Sequence, residues 1–265
     1  MLELVVLASG SSGNAAVVRD RATGRAVLVD CGICKRDFFA RLDAAGVDPL
    51  SIEAVLVTHE HTDHTKGLGV VLRGLAKLDC RPPLYTHPAV RAASREIRET
   101  EGLVEQRELM PGGELGLAGI GVLPFATSHD AAASVGFRFE SKGGDALGFM
   151  TDTGHVTPAA HDALQEVRIL GIESNHDPVM LRQGPYPYPV KRRVASDAGH
   201  LSNGQCAEEV AALLHGRLER IVALHISQNN NTFDLPRDTL RALLAEAGHP
   251  ADVQSALPRT PVRAS

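Results

Sequence analysis

The 265 residues contain no tryptophan, and aromatic side chains make up only 4% of them. Nothing in that composition looks like a platform on which successive nucleic-acid bases stack. No stretch approaches the roughly 18 consecutive apolar residues needed to cross a bilayer, so no membrane partner is expected. The run Leu2–Ala8 is short, carries Glu3 and lacks a basic leader, so it reads as a first strand and not as a secretory signal. A reducing, cytoplasmic setting is the expectation that follows. Positive charge is also scarce, with a formal net charge of −5. A nucleic acid would therefore have to be held through a local basic patch or through metal ions.

Cysteine is sparse as well: Cys31, Cys34, Cys80 and Cys206. Cys31 and Cys34 form a C-x-x-C, but a structural zinc site wants a second pair, and the other two thiols are isolated. All four read as reduced thiols. No linker, low-complexity tract, charge block or repeat of 20–50 residues interrupts the chain. Hydrophobic content of 43% and charged content of 22% suit a soluble globular protein with a substantial core. One domain over residues 1–258 is expected, with residues 259–265 as a frayed, disordered tail.

What the chain has in abundance is concentrated at Thr58-His59-Glu60-His61-Thr62-Asp63-His64. The run follows Ala54–Val57, a short apolar stretch that reads as a buried strand. Its side chains thus sit at a strand's C-terminal edge, where open α/β folds build their sites. Imidazole nitrogen and carboxylate oxygen suit Zn²⁺, Mn²⁺ or Fe²⁺. His59 and His61, two apart in extended chain, can point the same way. Asp63 and His64 lie past a bend and can face a second ion. The bland alternative is a solvated polar loop.

The rest of the chain supplies partners. Arg25–Asp30 reads as a strand closing on Asp30, either a support for the site or a turn cap. His129, Asp152 and His225 each follow a further apolar strand. Ser9–Asn14 reads as a tight hairpin turn, with a phosphate cradle as the alternative. Helices are expected at Asp37–Ala45, Gly67–Leu78, Ala89–Thr100, Thr157–Leu164, Ser202–His215 and Pro236–Ala247. Gly184–Pro189, with three prolines, reads as a rigid loop. Asp252–Leu257 is a candidate last strand. His87 reads as structural. The sum is an α/β (α+β) chain of two mixed sheets with outer helices, in four layers αββα.

In this order, Asp30, Thr58–His64, His129, Asp152 and His225 resemble the five-part signature of the metallo-β-lactamase superfamily. The resemblance implies a αββα sandwich with a binuclear site at one sheet edge. His59, His61 and His129 would hold one ion. Asp63, His64 and His225 would hold the second. Asp152 would bridge the two, and Asp30 would support the site from behind. A narrower resemblance covers almost the whole chain. Ala8–Asn14, Asp30-Cys31-Gly32, Glu173–Asp177, Gly184–Pro187, Gly199–Asn203 and His225–Ser227 with Asn230 and Asn231 are similar to the YycJ/WalJ family. Members of that family are regarded as metal-dependent 5′→3′ DNA exonucleases linked to DNA repair. Ile226 stands where the family usually has leucine.

Two cations about 3.5–4 Å apart can steady both oxygens of an in-line phosphoryl displacement. They also bring the pKa of bound water to about 7, so a bridging hydroxide is the expected attacking group on phosphorus. His200 resembles the histidine that assists the leaving oxygen in the ribonuclease Z group, and a general-acid role follows from that likeness. With Asp63 and Asp152 it completes the expected catalytic set. Ser227, Asn230 and Asn231 are candidate phosphate donors. Lys191 and Arg193 are candidate contacts to the nucleic-acid backbone, or a solvated basic run. His176 either lines the site or is structural. The expected partner is single-stranded DNA, with RNA as an alternative.

Residues 130–151 are too few for the substrate arm of a ribonuclease Z, and the chain has no room for the inserted domain of a ribonuclease J. A small-molecule phosphodiesterase or lactonase of the same superfamily is the enzymatic alternative. A non-catalytic metal-binding regulator is the alternative of another class.

Overall fold

The computed structural model describes residues 1–265. The first sheet is built from β1 (Leu2–Ala8), β2 (Ala15–Asp20), β3 (Ala26–Val29), β4 (Ile52–Leu56), β5 (Leu84–Thr86) and β6 (Gln106–Glu108), with β14 (Val262–Ala264) on its edge. The second holds β7 (Leu115–Leu117), β8 (Ile120–Ala126), β9 (Val135–Ser141), β10 (Ala146–Met150), β11 (Ile169–Glu173), β12 (Arg220–Leu224) and β13 (Asp252–Ser255). The helices are α1 (Lys35–Ala44), α2 (Thr62–Thr65), α3 (Leu68–Ala76), α4 (Pro88–Ala93), α5 (Arg95–Arg98), α6 (Pro158–Leu164), α7 (Pro178–Gln183), α8 (Tyr188–Val194), α9 (Asn203–Ala212) and α10 (Asp234–Glu246).

Side-chain alternation explains the layering. In β1, Leu2, Leu4 and Val6 face the second sheet, where they meet Phe137, Phe139 and Leu147. Val5 and Leu7 face the other way, against Phe38 and Leu42 of α1 and Leu72 of α3. Such a strand is apolar on both faces, which is why it reads as an unbroken hydrophobic run. Each fully buried side chain of this size contributes about 1.5–3 kcal/mol. A third cluster packs α6, α9 and α10 on the outside of the second sheet, through Leu164, Val210 and Leu240. The result is the expected four-layer αββα order.

Each sheet is half antiparallel and half parallel. β14-β1-β2-β3 run antiparallel, and β3-β4-β5-β6 parallel. β7-β8-β9-β10 run antiparallel, and β10-β11-β12-β13 parallel. The C-terminal ends of the parallel strands gather on one edge of the sandwich.

Three expectations need correction. The tail at 259–265 carries a strand: Leu4, Val5 and Val6 pair with Ala264, Arg263 and Val262. It is held because Ala264 is buried and because Arg263 donates to the buried Glu3 carboxylate at 2.7 Å. The single helix expected over Ala89–Thr100 is two helices. Ser94 turns extended, and its hydroxyl caps α5 by accepting from Ile97 N at 3.2 Å. The proline-rich stretch is not loop throughout, since α8 begins at Tyr188 with Pro189 in its first turn, where a missing N–H costs nothing.

Candidate metal centre

Five strand ends meet at this edge. Asp30 follows β3, His59–His64 follow β4, His129 follows β8, Asp152 follows β10 and His225 follows β12. Asp30, Asp152 and His225 adopt positive φ of 58°, 50° and 50°. A non-glycine residue takes that conformation only where its surroundings fix it. Here it turns each side chain off its strand and into the cluster.

The structure brings together all seven proposed ligands. Donor atoms of His59, His61 and His129 lie within 4.8 Å of one another, as do those of Asp63, His64 and His225. His59, His64 and Asp152 form a third such group, so Asp152 sits between the first two. Asp152 Oδ2 lies 3.0 Å from His64 Nε2, and its Oδ1 lies 2.8 Å from His225 Nδ1.

Most of these imidazoles are anchored by one nitrogen and present the other. His64 Nδ1 donates to Asp30 Oδ2 at 2.7 Å. Thr58 Oγ1 also donates to Asp30 at 2.8 Å, and so accepts from His59 Nδ1 at 2.9 Å. His129 Nδ1 donates to the Gly199 carbonyl at 3.0 Å. Such anchoring fixes tautomer and ring orientation in metal sites.

The presented atoms fit a cation. His59 Nε2 and His225 Nε2 are buried with no hydrogen-bond partner. His61 Nδ1 and His129 Nε2 confront each other at 3.2 Å. An unpartnered buried polar atom costs about 1–3 kcal/mol, and a divalent ion relieves that cost. Charge points the same way. Burial alone would push His64 down, but Asp152 and Asp30 outweigh it and hold its pKa at about 10. Burial works against His225 too, and Asp152 again raises it well above the usual imidazole range. Burial, seconded by His64, keeps His59 well below that range and thus a neutral donor. The carboxylates gathered here demand positive charge.

Two contributors escape sequence reasoning. Glu173, the last residue of β11, accepts from His200 Nδ1 at 2.8 Å and from His225 Nδ1 at 3.0 Å. It is fully buried; burial opposes its charge, but His200 outweighs that and holds its pKa down at about 2. Asn14, at the end of the Ser9–Asn14 turn, places Nδ2 2.9 Å from His64 Nε2 and donates to Asp63 Oδ2 at 3.3 Å. The turn is the expected hairpin, and it borders the site. Both lie in segments that carry the family likeness, Glu173–Asp177 and Ala8–Asn14, but neither residue is marked out there for a role: Glu173 closes an apolar strand, as Asp30 does, and Asn14 ends a turn.

The expected phosphate donors are placed otherwise. Ser227 Oγ accepts from Asn230 N at 3.2 Å and braces its own loop. Asn231 Nδ2 donates to Asn175 O and Asn203 Oδ1, at 3.0 and 2.9 Å. Asn230 is buried, at 1% exposure, with Nδ2 turned to Ser227 Oγ. Asn231 thus spends its amide within the fold, whereas Asn230 Oδ1 is buried without a partner. Arg193 pairs with Asp130 at 2.8 Å, and Lys191 Nζ donates to the Arg182 carbonyl at 2.7 Å. His176 is buried, and its Nδ1 has no partner.

A family described as the beta-lactamase superfamily domain matches residues 25–226. A Bacillus anthracis protein named exodeoxyribonuclease YycJ is 34% identical over 93% of this chain and 90% of its own. The chain belongs to the YycJ/WalJ family of that superfamily. A second family member, named exodeoxyribonuclease WalJ, from Streptococcus pneumoniae, is 33% identical over 91% of this chain and 88% of its own. Among solved structures, the metallo-beta-lactamase fold protein YhfI from Bacillus subtilis superposes with a TM-score of 0.72. It covers 99% of each chain at 14% identity, a likeness of fold alone. Within the family's fold the cluster occupies the edge at which the parallel strands end. No helix is long and apolar enough to cross a membrane.

Proposed function

We propose that the chain is a metal-dependent phosphodiesterase that removes nucleotides from single-stranded DNA in the 5′→3′ direction and serves DNA repair in the cytoplasm. The observation that carries this reading is the hydrogen-bonded pair His200–Glu173 set against a complete seven-donor cluster. The family likeness over nearly the whole chain supports DNA as the polymer.

His59, His61 and His129 would hold one divalent ion, and Asp63, His64 and His225 a second, with Asp152 shared. Zn²⁺ and Mn²⁺ suit these donors best, and Fe²⁺ fits them too. Bound there, the ions supply Lewis acidity towards a phosphoryl oxygen and a water acidified to about neutral pH. Everything else falls to the chain. Asp30 and Thr58 hold His64 and His59 in orientation. Glu173 accepts the Nδ1 proton of His200 and leaves Nε2 to carry the proton that is transferred. With Nδ1 so held, Nε2 is the His200 atom that would hand a proton to the departing oxygen. Asn14 braces Asp63 and His64 from the hairpin side.

The test is digestion of 5′-labelled single-stranded DNA beside a simple aryl phosphodiester, with Mn²⁺ or Zn²⁺ supplied. Successive loss of nucleotides from the 5′ end is expected. Turnover of the aryl ester alone would sink the nuclease reading in favour of a small-molecule phosphodiesterase.

A further inference from the structure

Next to the metal centre lies a cavity of about 420 Å³ that the reaction chemistry does not use. It is lined by His176, Leu181, Arg182, Tyr188, Lys191 and Arg192, and no carboxylate faces it. Tyr188 is 72% exposed, the most exposed large apolar side chain of the protein. Its ring lies under the Arg192 guanidinium, 6.0 Å from centroid to Cζ. An exposed aromatic ring backed by a guanidinium has little stabilising role in a fold. His176, on the inner wall, is only 3% exposed, and its Nδ1 lacks a partner. That nitrogen is closed off from solvent, so what His176 offers the cavity is ring surface.

The cavity is joined to the reaction site through the backbone. His200 N donates to Val194 O, the last residue of α8, at 2.9 Å. Asn203 N donates to the His176 carbonyl at 2.9 Å. One helix therefore carries Tyr188, Lys191 and Arg192 and, through the carbonyl of its last residue, holds His200.

Resting on the nuclease reading above, we propose that this cavity is a subsite for one unpaired nucleobase of the DNA strand. The base stacks on Tyr188, with Leu181 as apolar floor and the His176 ring as inner wall. Arg182, Lys191 and Arg192 take the flanking phosphates. Base–aromatic stacking tolerates any base, because every base has a π-face. A base inside a duplex is already stacked and paired and cannot enter, so the subsite selects single strands. A chain with 4% aromatic residues cannot stack a run of bases, but a single tyrosine holds one. The three cations supply the local basic patch that a net charge of −5 makes necessary.

The test uses the metal-loaded enzyme with oligothymidylate and with an abasic deoxyribose-phosphate oligomer of equal length. KM is measured for the first, and the second is measured as a competitor. The wild type should favour the oligomer with bases by on the order of tenfold, the scale of one base–aromatic stack. Tyr188→Ala should abolish that preference while binding the abasic oligomer as the wild type does. Lys191→Ala should weaken both oligomers equally and lower the salt dependence by about one phosphate contact. Retention of the base preference in Tyr188→Ala, with DNA still degraded, overturns the subsite and leaves the nuclease reading standing. If the wild type neither degrades nor binds either oligomer, both fall together.

Discussion

At the scale of single residues, the proposed mechanism separates groups that would hold metal from groups that would act beside it. His200 belongs to the second kind, because its Nδ1 is committed to Glu173. His200→Ala should lower kcat by about 10²–10⁴, the range for loss of a general acid. Metal content, measured by elemental analysis of the purified variant, should stay at the wild-type level; a variant that loses its metal would show His200 to be a ligand. Glu173 behaves differently, since it also anchors His225. Glu173→Gln should cost about 10–100-fold in metal affinity as well as activity, as partners of metal-bound histidines usually do. His176 offers a pH test. Burial pushes its pKa down from 6.5 to about 4. Between those values the unfolded chain takes up a proton that the folded chain refuses. This residue's contribution to stability therefore falls as pH drops through that window, by about 1.4 kcal/mol per pH unit. Above pH 6.5 it is indifferent to pH. Urea unfolding of wild type and His176→Gln from pH 4.5 to 7 should show the two lines parallel above about pH 6.5 and the wild type steeper below; lines parallel throughout would refute it.

At the scale of elements, close backbone contacts set the donors. Cys31 N donates to His64 O and Asn14 N to Asp63 O, both at 2.8 Å. Gly32 lies between these contacts, and a Cβ there would fall 1.6 Å from Asp63 O. Gly32→Ala should therefore displace the Asp63–His64 turn, costing about 1–3 kcal/mol as overpacking does. Its activity should fall further than that loss of stability explains, as read by kcat at a temperature where the variant is fully folded. The strand-end histidines and aspartates were legible because each closes a hydrophobic run, and such runs announce strands. Glu173 and Asn14 were not, because a lone strand-end glutamate or a turn asparagine has no spacing pattern. Their roles arise when topology lays β11 beside β12 and the β1–β2 hairpin against α2. Short strands suffer likewise. β6, β7 and β14 have three residues each, and what makes them strands is pairing with neighbours, not local preference. Sequence likewise places Ser227 and Asn231 after a ligand but cannot show that both are buried and hydrogen-bonded within the fold.

At the scale of the whole molecule, the proposed metal centre draws its donors from both sheets. His59, His61, Asp63 and His64 come from the first sheet, and His129, Asp152 and His225 from the second. A metal held there would therefore also be a bond between the halves of the sandwich. An ion that binds the folded chain and not the unfolded one adds stability of RT ln(1 + [L]/Kd), about 4 kcal/mol when free metal stands a thousandfold above Kd. Its removal also returns His59 Nε2 and His225 Nε2 to burial without a partner. Dialysis against a chelator should lower Tm, and restoring Zn²⁺ or Mn²⁺ should recover it, with Tm rising with metal concentration. His59→Ala and Asp152→Ala should abolish activity and blunt that rise, because they remove donors from opposite sheets. Aspartate or histidine changes outside the cluster should leave it intact. A Tm indifferent to chelator, in protein shown by elemental analysis to have been loaded beforehand, would mean that the cluster does not join the sheets through metal.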